Sequence, residues 1–169
     1  PLGICFPAPE VYAVSITCSA LTHYDPVGGH CSAFLNTMVS DMIRGVSRKN
    51  AFRHARSLCT DPEVHTVLGS YDHYDPDPSL DAVLCSHAAL YSFMHARTPE
   101  MAILSAVNLG GDADTVGACC GALAGAHWGL GALPERWRCK VEGYEELVAL
   151  AERVWQKRAD RVRLIRAIP

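Results

Sequence analysis

The chain has 169 residues, of which 49% are hydrophobic, and its formal net charge is −3 at pH 7. This length predicts one domain with a sizeable buried core, and the negative charge excludes a general attraction to nucleic acid or anionic membranes. The eight cysteines include no Cys-x-x-Cys pair. We therefore expect free thiols in a reducing cytoplasm, rather than disulfides or a zinc site.

Helical periodicity runs through nearly the whole chain and strand signals are almost absent, which predicts an all-α fold. Ser47 and Ser79 are predicted to cap the helices that follow them, and Gly45 is predicted to end the second helix. A helix of small residues should follow the acidic run near residue 112. The other predicted helices span about residues 10–22, 27–44, 48–58, 80–96, 99–108 and 142–166.

Residues 69–78 form the one clearly irregular segment, because they include two prolines, three aspartates and two tyrosines. A functional loop and a simple surface connection both fit this composition. Tyr71 and Tyr74 have rings that could stack on an adenine, and loops commonly carry such contacts.

The uncharged run at residues 116–133 is long enough to raise the question of a membrane span. Five glycines, a histidine and two aspartates at its start argue against insertion. Gly117, Gly121 and Gly125 repeat every four residues. We expect them to line one face of a soluble helix and to let another helix approach closely.

The last predicted helix ends in a cluster of basic residues. These side chains suit the negative end of the helix dipole, so we interpret them as a solvated surface and not as a nucleic-acid site. The residues are Lys157, Arg158, Arg161, Arg163 and Arg166.

The run Asn-Leu-Gly-Gly-Asp-Ala-Asp-Thr occupies residues 108–115, between two predicted helices. Asp112 and Asp114 can converge on one cation, and Thr115 adds a hydroxyl. Hard cations such as Mg²⁺ bind carboxylate, hydroxyl and water oxygens, and the N–H groups at a helix start also favour anions such as phosphate. The same residues suit an ordinary N-cap, so the pattern alone leaves both interpretations open. An EF-hand is excluded, because hydrophobic residues occupy two of the positions where its loop needs ligands.

The Gly-Gly-Asp-Ala-Asp-Thr motif at 110–115, the small residues at 121–126 and the Leu-Pro-x-x-Trp motif at 133–137 together resemble the C-terminal signature of the ADP-ribosylglycohydrolase family. Ser-Ala-Leu-Thr-His at 19–23 matches another motif of that family. Glu-Gly-Tyr-Glu-Glu at 142–146 is similar to the subgroup that removes ADP-ribose from serine. The resemblance extends over most of the chain.

The resemblance implies a compact all-α domain of orthogonal helices, with residues 1–169 as the C-terminal part of that single domain. In the family, the first half carries an Asp-Asp-Thr type of motif, further metal ligands and an acidic catalytic residue. This chain has no such motif, so we expect it to be incomplete at its N-terminus. The acid/base residue stays unassigned, and neither Asp25 nor Asp72 is chosen for that role.

The resemblance also assigns the site residues. Asp112, Asp114 and Thr115 become metal ligands, half of the set that would hold two Mg²⁺ ions in the complete protein. His23 becomes a substrate contact, because an imidazole can donate to a phosphate or ribose oxygen. Without the resemblance, His23 would be interpreted as a polar residue at a helix end.

The function implied is that of a Mg²⁺-dependent hydrolase, which cleaves the glycosidic bond between ADP-ribose and a protein side chain or small acceptor. The alternative is a catalytically inactive family member that serves as a binding or structural module. We expect a cytoplasmic monomer whose partner is an ADP-ribosylated protein or a small molecule that contains ADP-ribose. Nucleic acid and membranes are not expected partners.

Overall fold

Helices account for all the regular secondary structure of residues 1–8 and 10–166, the part of the chain that this computed structural model describes, with side chains to residue 158. Two short 3₁₀ segments, Leu68–His73 and Leu130–Ala132, connect some of them. The α-helices are α1 (Leu2–Cys5), α2 (Glu10–Ser19), α3 (Pro26–Met42), α4 (Arg48–Leu58), α5 (Pro62–Val67), α6 (Ala82–His95), α7 (Pro99–Val107), α8 (Ala113–Trp128), α9 (Glu135–Arg138) and α10 (Tyr144–Arg166).

The all-α prediction is confirmed, and several helix ends lie where the sequence places them. Helix α4 has the predicted bounds, and the Ser47 hydroxyl accepts a hydrogen bond from the Asn50 N–H at 3.4 Å. Gly45 follows α3 with a φ of +88°, as expected of a glycine that ends a helix. Thr98 caps α7 through the Met101 N–H at 3.1 Å.

Other helix ends differ from the prediction. Helix α2 ends at Ser19, three residues before the predicted end at residue 22. Asp81, and not Ser79, caps α6: its carboxylate accepts from the N–H groups of Val83 and Leu84. Ser79 accepts instead from the N–H of Asp81, so it stabilises the turn that leads into the cap.

The core is built around α3, which packs against α2, α4, α6 and α8. Phe34 and Met38 of α3 are fully buried beside Leu90 and Phe93 of α6 and Leu123 of α8. Helix α10 packs against α1, outside this buried core. Three of the basic residues predicted at its end, Arg161, Arg163 and Arg166, have side chains outside the described range.

The predicted close approach of another helix to the glycine face of α8 holds at Gly117 but is wrong at Gly121 and Gly125. A Cβ added at Gly117 would lie 2.8 Å from Cγ1 of Val107, so α7 does approach closely there. At Gly121 and Gly125 an added Cβ would meet no atom within 4 Å. Four residues turn an α-helix by about 40° more than a full circle. Each glycine of the series therefore faces a direction about 40° away from the one before it, and the later glycines no longer face the helix that Gly117 meets. No helix in the described part of the chain is long and apolar enough to cross a membrane.

Candidate functional site

The loop between α7 and α8 adopts a conformation that requires glycine. Gly110 and Gly111 have φ values of +81° and +54°, in the left-handed region that side chains disfavour. A Cβ at Gly111 would overlap with the carbonyl oxygen of Pro78. The same oxygen accepts a hydrogen bond from the Asp112 N–H at 2.9 Å. The loop is therefore docked against the segment before α6, and this contact sets the position of Asp112.

Asp112 occupies the N-cap position of α8, but its side chain makes no capping hydrogen bond. The aspartates at the starts of three other helices behave differently. Asp25, Asp61 and Asp81 each accept hydrogen bonds from two backbone N–H groups of the helix that follows. The geometry thus disfavours the capping interpretation of Asp112, because its carboxylate accepts no capping hydrogen bond from α8. Its role as a metal ligand stays a prediction.

Asp114 lies in the first turn of α8 and is exposed. A side-chain hydrogen bond with Asp112 holds the pKa of Asp114 below its ordinary value, and the N–H groups of Asp114 and Thr115 act in the same direction. The two carboxyl groups therefore lie side by side at the helix start. Their convergence on one cation stays a prediction.

A cleft of about 420 Å³ opens beside these residues, between α3, α6 and α8. His23 reaches it from the turn after α2, while Asp112 and Thr115 reach it from the start of α8. Three of the four predicted site residues thus line one cleft, and Asp114 lies outside its lining. The other lining residues are Gly28, Cys31, Ser32, Leu35, Asn36, Val39, Leu80, Ala82, Cys85, Ser86, Cys119, Ala122 and Leu123.

The sequence did not predict the polar residues that α3 and α6 contribute to the cleft wall. The Asn36 side-chain amide donates to Ser15 at 3.1 Å and to Ser32 at 3.3 Å, and Ser86 faces the cleft from α6. The available signal was the pair of polar residues four apart, Ser32 and Asn36, within the apolar pattern of α3. Such spacing places both on one helix face but does not say what that face meets.

The tyrosines of the irregular segment do not line the cleft. The ring of Tyr71 packs edge-on against Phe52, with centroids 5.1 Å apart, and also contacts His95. Tyr74 meets the ring of His87 at 6.1 Å. These rings pack against neighbouring side chains, so the geometry gives no support to adenine stacking at this cleft.

Two thiols face each other on the cleft wall. Cys85 of α6 and Cys119 of α8 share a side-chain hydrogen bond, and neither is in a disulfide. That bond lowers the pKa of Cys119 to about 7, although burial opposes the change. The same bond, followed by burial, raises the pKa of Cys85. Burial raises the pKa of the nearby Cys31 to about 12.

The donor atoms at the helix start suit Mg²⁺ in kind but are few. Asp112, Asp114 and Thr115 offer carboxylate and hydroxyl oxygens, which hard cations prefer. Over the described residues, no group of three or more His, Cys, Asp or Glu side chains is arranged to hold a metal ion. These three residues thus offer oxygen donors of the kind that Mg²⁺ binds, and a magnesium site here stays a prediction.

The fold of this chain is the all-α fold of the ADP-ribosylglycohydrolases. The solved structure of an "ADP-ribosylglycohydrolase-related protein complex" matches with a TM-score of 0.86 and 30% sequence identity, over 94% of this chain and 57% of that chain. The sequence profile of the ADP-ribosylglycohydrolases matches residues 1–163. The chain belongs to the ADP-ribosylglycohydrolase family.

Individual relatives agree with this assignment. ADP-ribosylhydrolase ARH3 of Homo sapiens is 41% identical over 83 residues, which is 41% of this chain and 23% of that protein. ADP-ribosylarginine hydrolase Tri1 of Serratia proteamaculans is 31% identical over 154 residues, 86% of this chain and 41% of Tri1. ADP-ribosyl-[dinitrogen reductase] glycohydrolase of Rhodospirillum rubrum is 30% identical over 123 residues, 72% of this chain and 40% of that enzyme. The chain spans less than half the length of each of these curated relatives.

Proposed function

We propose that the chain contributes the acidic helix start and one wall of the active site in an ADP-ribosyl hydrolase. The reaction is hydrolysis of the glycosidic bond between ADP-ribose and a protein side chain or small acceptor. The observation that carries the proposal is the carboxylate of Asp112, which occupies a helix cap position without capping and faces the same cleft as His23. Relatives whose names specify ADP-ribosylarginine and ADP-ribosyl-dinitrogen reductase support this class of substrate.

In this proposal the cofactor is Mg²⁺. Asp112 and Asp114 would supply carboxylate oxygens and Thr115 a hydroxyl oxygen, with further ligands from outside these three residues. When bound, such ions orient a substrate and activate water. The proposed work of the chain itself is to hold the two acidic side chains in place through the docked glycine loop, and to exclude water with the apolar part of the cleft wall.

His23 has a separate role in the proposal. Its ring is exposed at the mouth of the cleft, with Nδ1 3.0 Å from the Thr22 hydroxyl. That contact leaves the other ring nitrogen available to a phosphate or ribose oxygen of the substrate. Cleavage at the anomeric carbon builds oxocarbenium character, which an acid/base carboxylate assists. No residue of this chain is proposed for that step.

The test replaces each carboxylate by its amide in the full-length protein. Asp112 makes no capping hydrogen bond and Asp114 is exposed, so Asp112→Asn and Asp114→Asn should leave folding nearly intact. Both should lose most of the Mg²⁺-dependent release of ADP-ribose, roughly tenfold or more at limiting Mg²⁺, because the amide lacks the negative charge that holds a hard cation. The assay compares serine-linked and arginine-linked ADP-ribosyl substrates at several Mg²⁺ concentrations.

Asp75→Asn is the matched control, because Asp75 is an exposed aspartate that does not line the cleft. Its turnover should equal that of the wild type. Unchanged turnover in both Asp112→Asn and Asp114→Asn at limiting Mg²⁺ would remove these residues from the reaction. A wild-type protein that binds ADP-ribose but releases none from any substrate would instead indicate the inactive binding module.

A further inference from the structure

The cleft contains a pair of thiols that the proposed hydrolysis does not use. Cys119 lies one helical turn after Thr115 on α8, and Cys85 faces it from α6, which packs directly against α8. The two side chains share a hydrogen bond and both line the cleft. Sulfur atoms in such contact can be joined when the backbone geometry allows a disulfide.

The two thiols differ in ways that give them different roles. Cys85 is buried, with 5% of its surface exposed, whereas Cys119 is only partly buried. The hydrogen bond from Cys85 favours the charged form of the Cys119 sulfur, and the thiolate is the nucleophile that attacks a peroxide. Cys119 is therefore the sulfur that would react first, with Cys85 in place to resolve the product.

We propose that Cys85 and Cys119 form an oxidation site in the cleft wall, at which a hydroperoxide converts the two thiols into an intramolecular disulfide. The Cys119 sulfur attacks the terminal peroxide oxygen, the O–O bond breaks, and the leaving oxygen takes up a proton to give water or an alcohol. The Cys85 sulfur then attacks the Cys119 sulfenic acid. The S–O bond breaks, and hydroxide departs with the Cys85 proton as water. The thiols lose two electrons in total, and the peroxide gains them.

The disulfide would tie α6 to α8 one turn from Thr115, and so would alter the cleft directly. A reversible oxidation of this kind is compatible with thiols that are reduced in the resting protein. The chemistry concerns these two sulfurs alone, so it does not depend on whether the cleft hydrolyses ADP-ribose.

The experiment maps the thiols of the full-length protein after treatment with hydrogen peroxide. Remaining thiols are blocked with N-ethylmaleimide without prior reduction, and the protein is digested and analysed by tandem mass spectrometry. We expect a linked pair of peptides, one with Cys85 and one with Cys119, and a several-fold drop in alkylation of both residues. Dithiothreitol should restore alkylation.

Two variants test the order of the steps. Cys85→Ser should leave a sulfenic acid on Cys119 that dimedone traps, and Cys119→Ser should leave Cys85 reduced and alkylated. Cys120→Ala is the matched control, because no Lys or Arg separates Cys119 from Cys120 and the two share a tryptic peptide. This control should keep the link to Cys85. Circular dichroism of each variant shows whether it has folded, and the wild-type mapping does not depend on any variant.

Two results would overturn the proposal. One is a link from Cys85 to any cysteine other than Cys119. The other is full alkylation of both residues at a peroxide dose that already oxidises the exposed Cys18 and Cys139.

Discussion

Gly111 is the residue on which the position of the acidic pair depends. Its φ is +54°, and a side chain there would overlap with the Pro78 carbonyl that also accepts from Asp112. Gly110 next to it has a φ of +81°, but an added Cβ would meet nothing within 4 Å. A side chain at Gly110 would therefore meet backbone strain alone, whereas a side chain at Gly111 would meet both strain and steric overlap.

We predict that Gly110→Ala costs about 1–2 kcal/mol of unfolding free energy, from left-handed strain alone. Gly111→Ala should cost roughly 1–3 kcal/mol more, because the docked loop must also shift. Urea denaturation of both variants measures the difference. Equal losses in the two variants would show that the contact with Pro78 does not hold the loop.

The thiol of Cys119 gives a prediction that depends on pH. Its pKa is lowered to about 7 by the hydrogen bond with Cys85. Alkylation by iodoacetamide requires the thiolate, so its rate at Cys119 should rise as the pH increases through about 7 and then level off. In Cys85→Ala the midpoint should move to higher pH, because the stabilising hydrogen bond is lost. A rate that keeps rising with pH up to about 9, with no levelling above about 7, would contradict the assigned hydrogen bond.

The residues of the candidate site differ in how far the sequence could predict them. Asp112, Asp114 and Thr115 belong to one short motif, so their neighbourhood is local and could be inferred from spacing. His23 depended on the resemblance to a family. Ser86 and the contact of Cys85 with Cys119 involve different helices, and which helix faces meet is decided by packing that no local pattern encodes.

At the scale of a helix, the glycines of α8 have unequal surroundings. The Val107 side chain of α7 lies close to Gly117, whereas the space where a Cβ would stand at Gly121 is open. The sequence pattern suggested that a large side chain at Gly121 would overpack the core. The open position removes that expectation, because the first atom of any side chain meets no neighbour.

We predict that Gly121→Ala stabilises the protein by about 0.5–1 kcal/mol, which is the gain of alanine over glycine within a helix. Gly117→Ala should gain nothing or lose about 1 kcal/mol, because the added methyl must displace the Val107 side chain. Thermal unfolding monitored by circular dichroism compares the pair. A loss of stability in Gly121→Ala would mean that another element lies against this face of α8.

The exact first residue of a helix could not always be predicted from the local sequence. Ser79 and Asp81 are both good capping residues, and only the hydrogen bonds to Val83 and Leu84 identify Asp81 as the cap of α6. At the other end of the chain, Gly143 has a φ of +67°, so α10 begins at Tyr144 and not at the predicted residue 142. The longer helices were predictable from their periodicity, but the short helices α1, α5 and α9 were not predicted. The first residues of the longer helices depended on which of several competing caps forms.

At the scale of the whole molecule, the cleft lies where three helices distant in sequence come together. The central position of α3, between α4, α6 and α8, brings the turn after α2 next to the start of α8. The sequence predicted that helices would form, and the family resemblance predicted which residues share a function. Neither indicated that α3 and α6 supply the remaining walls of the cleft, because those contacts follow from the topology.

The acidic pair also allows a prediction for the chain as a whole. Mg²⁺ needs a near-octahedral set of oxygens and gives up its waters reluctantly, so two carboxylates and one hydroxyl hold it weakly. The described residues offer no cluster of three or more His, Cys, Asp or Glu side chains that would add to this set. We therefore predict that the 169-residue chain alone binds Mg²⁺ weakly, with most of the coordination sphere supplied by water.

Isothermal titration calorimetry of the 169-residue chain with MgCl₂ measures this directly. We expect a shallow isotherm that Asp112→Asn flattens further, since loss of one carboxylate halves the charge that attracts the cation. Asp75→Asn should leave the isotherm as it is in the wild type, because Asp75 is outside the cleft lining. Tight binding at two sites would mean that the chain already holds a complete ligand set. In that case the expected dependence on ligands beyond these residues would be wrong, while the assignment of Asp112 would gain support.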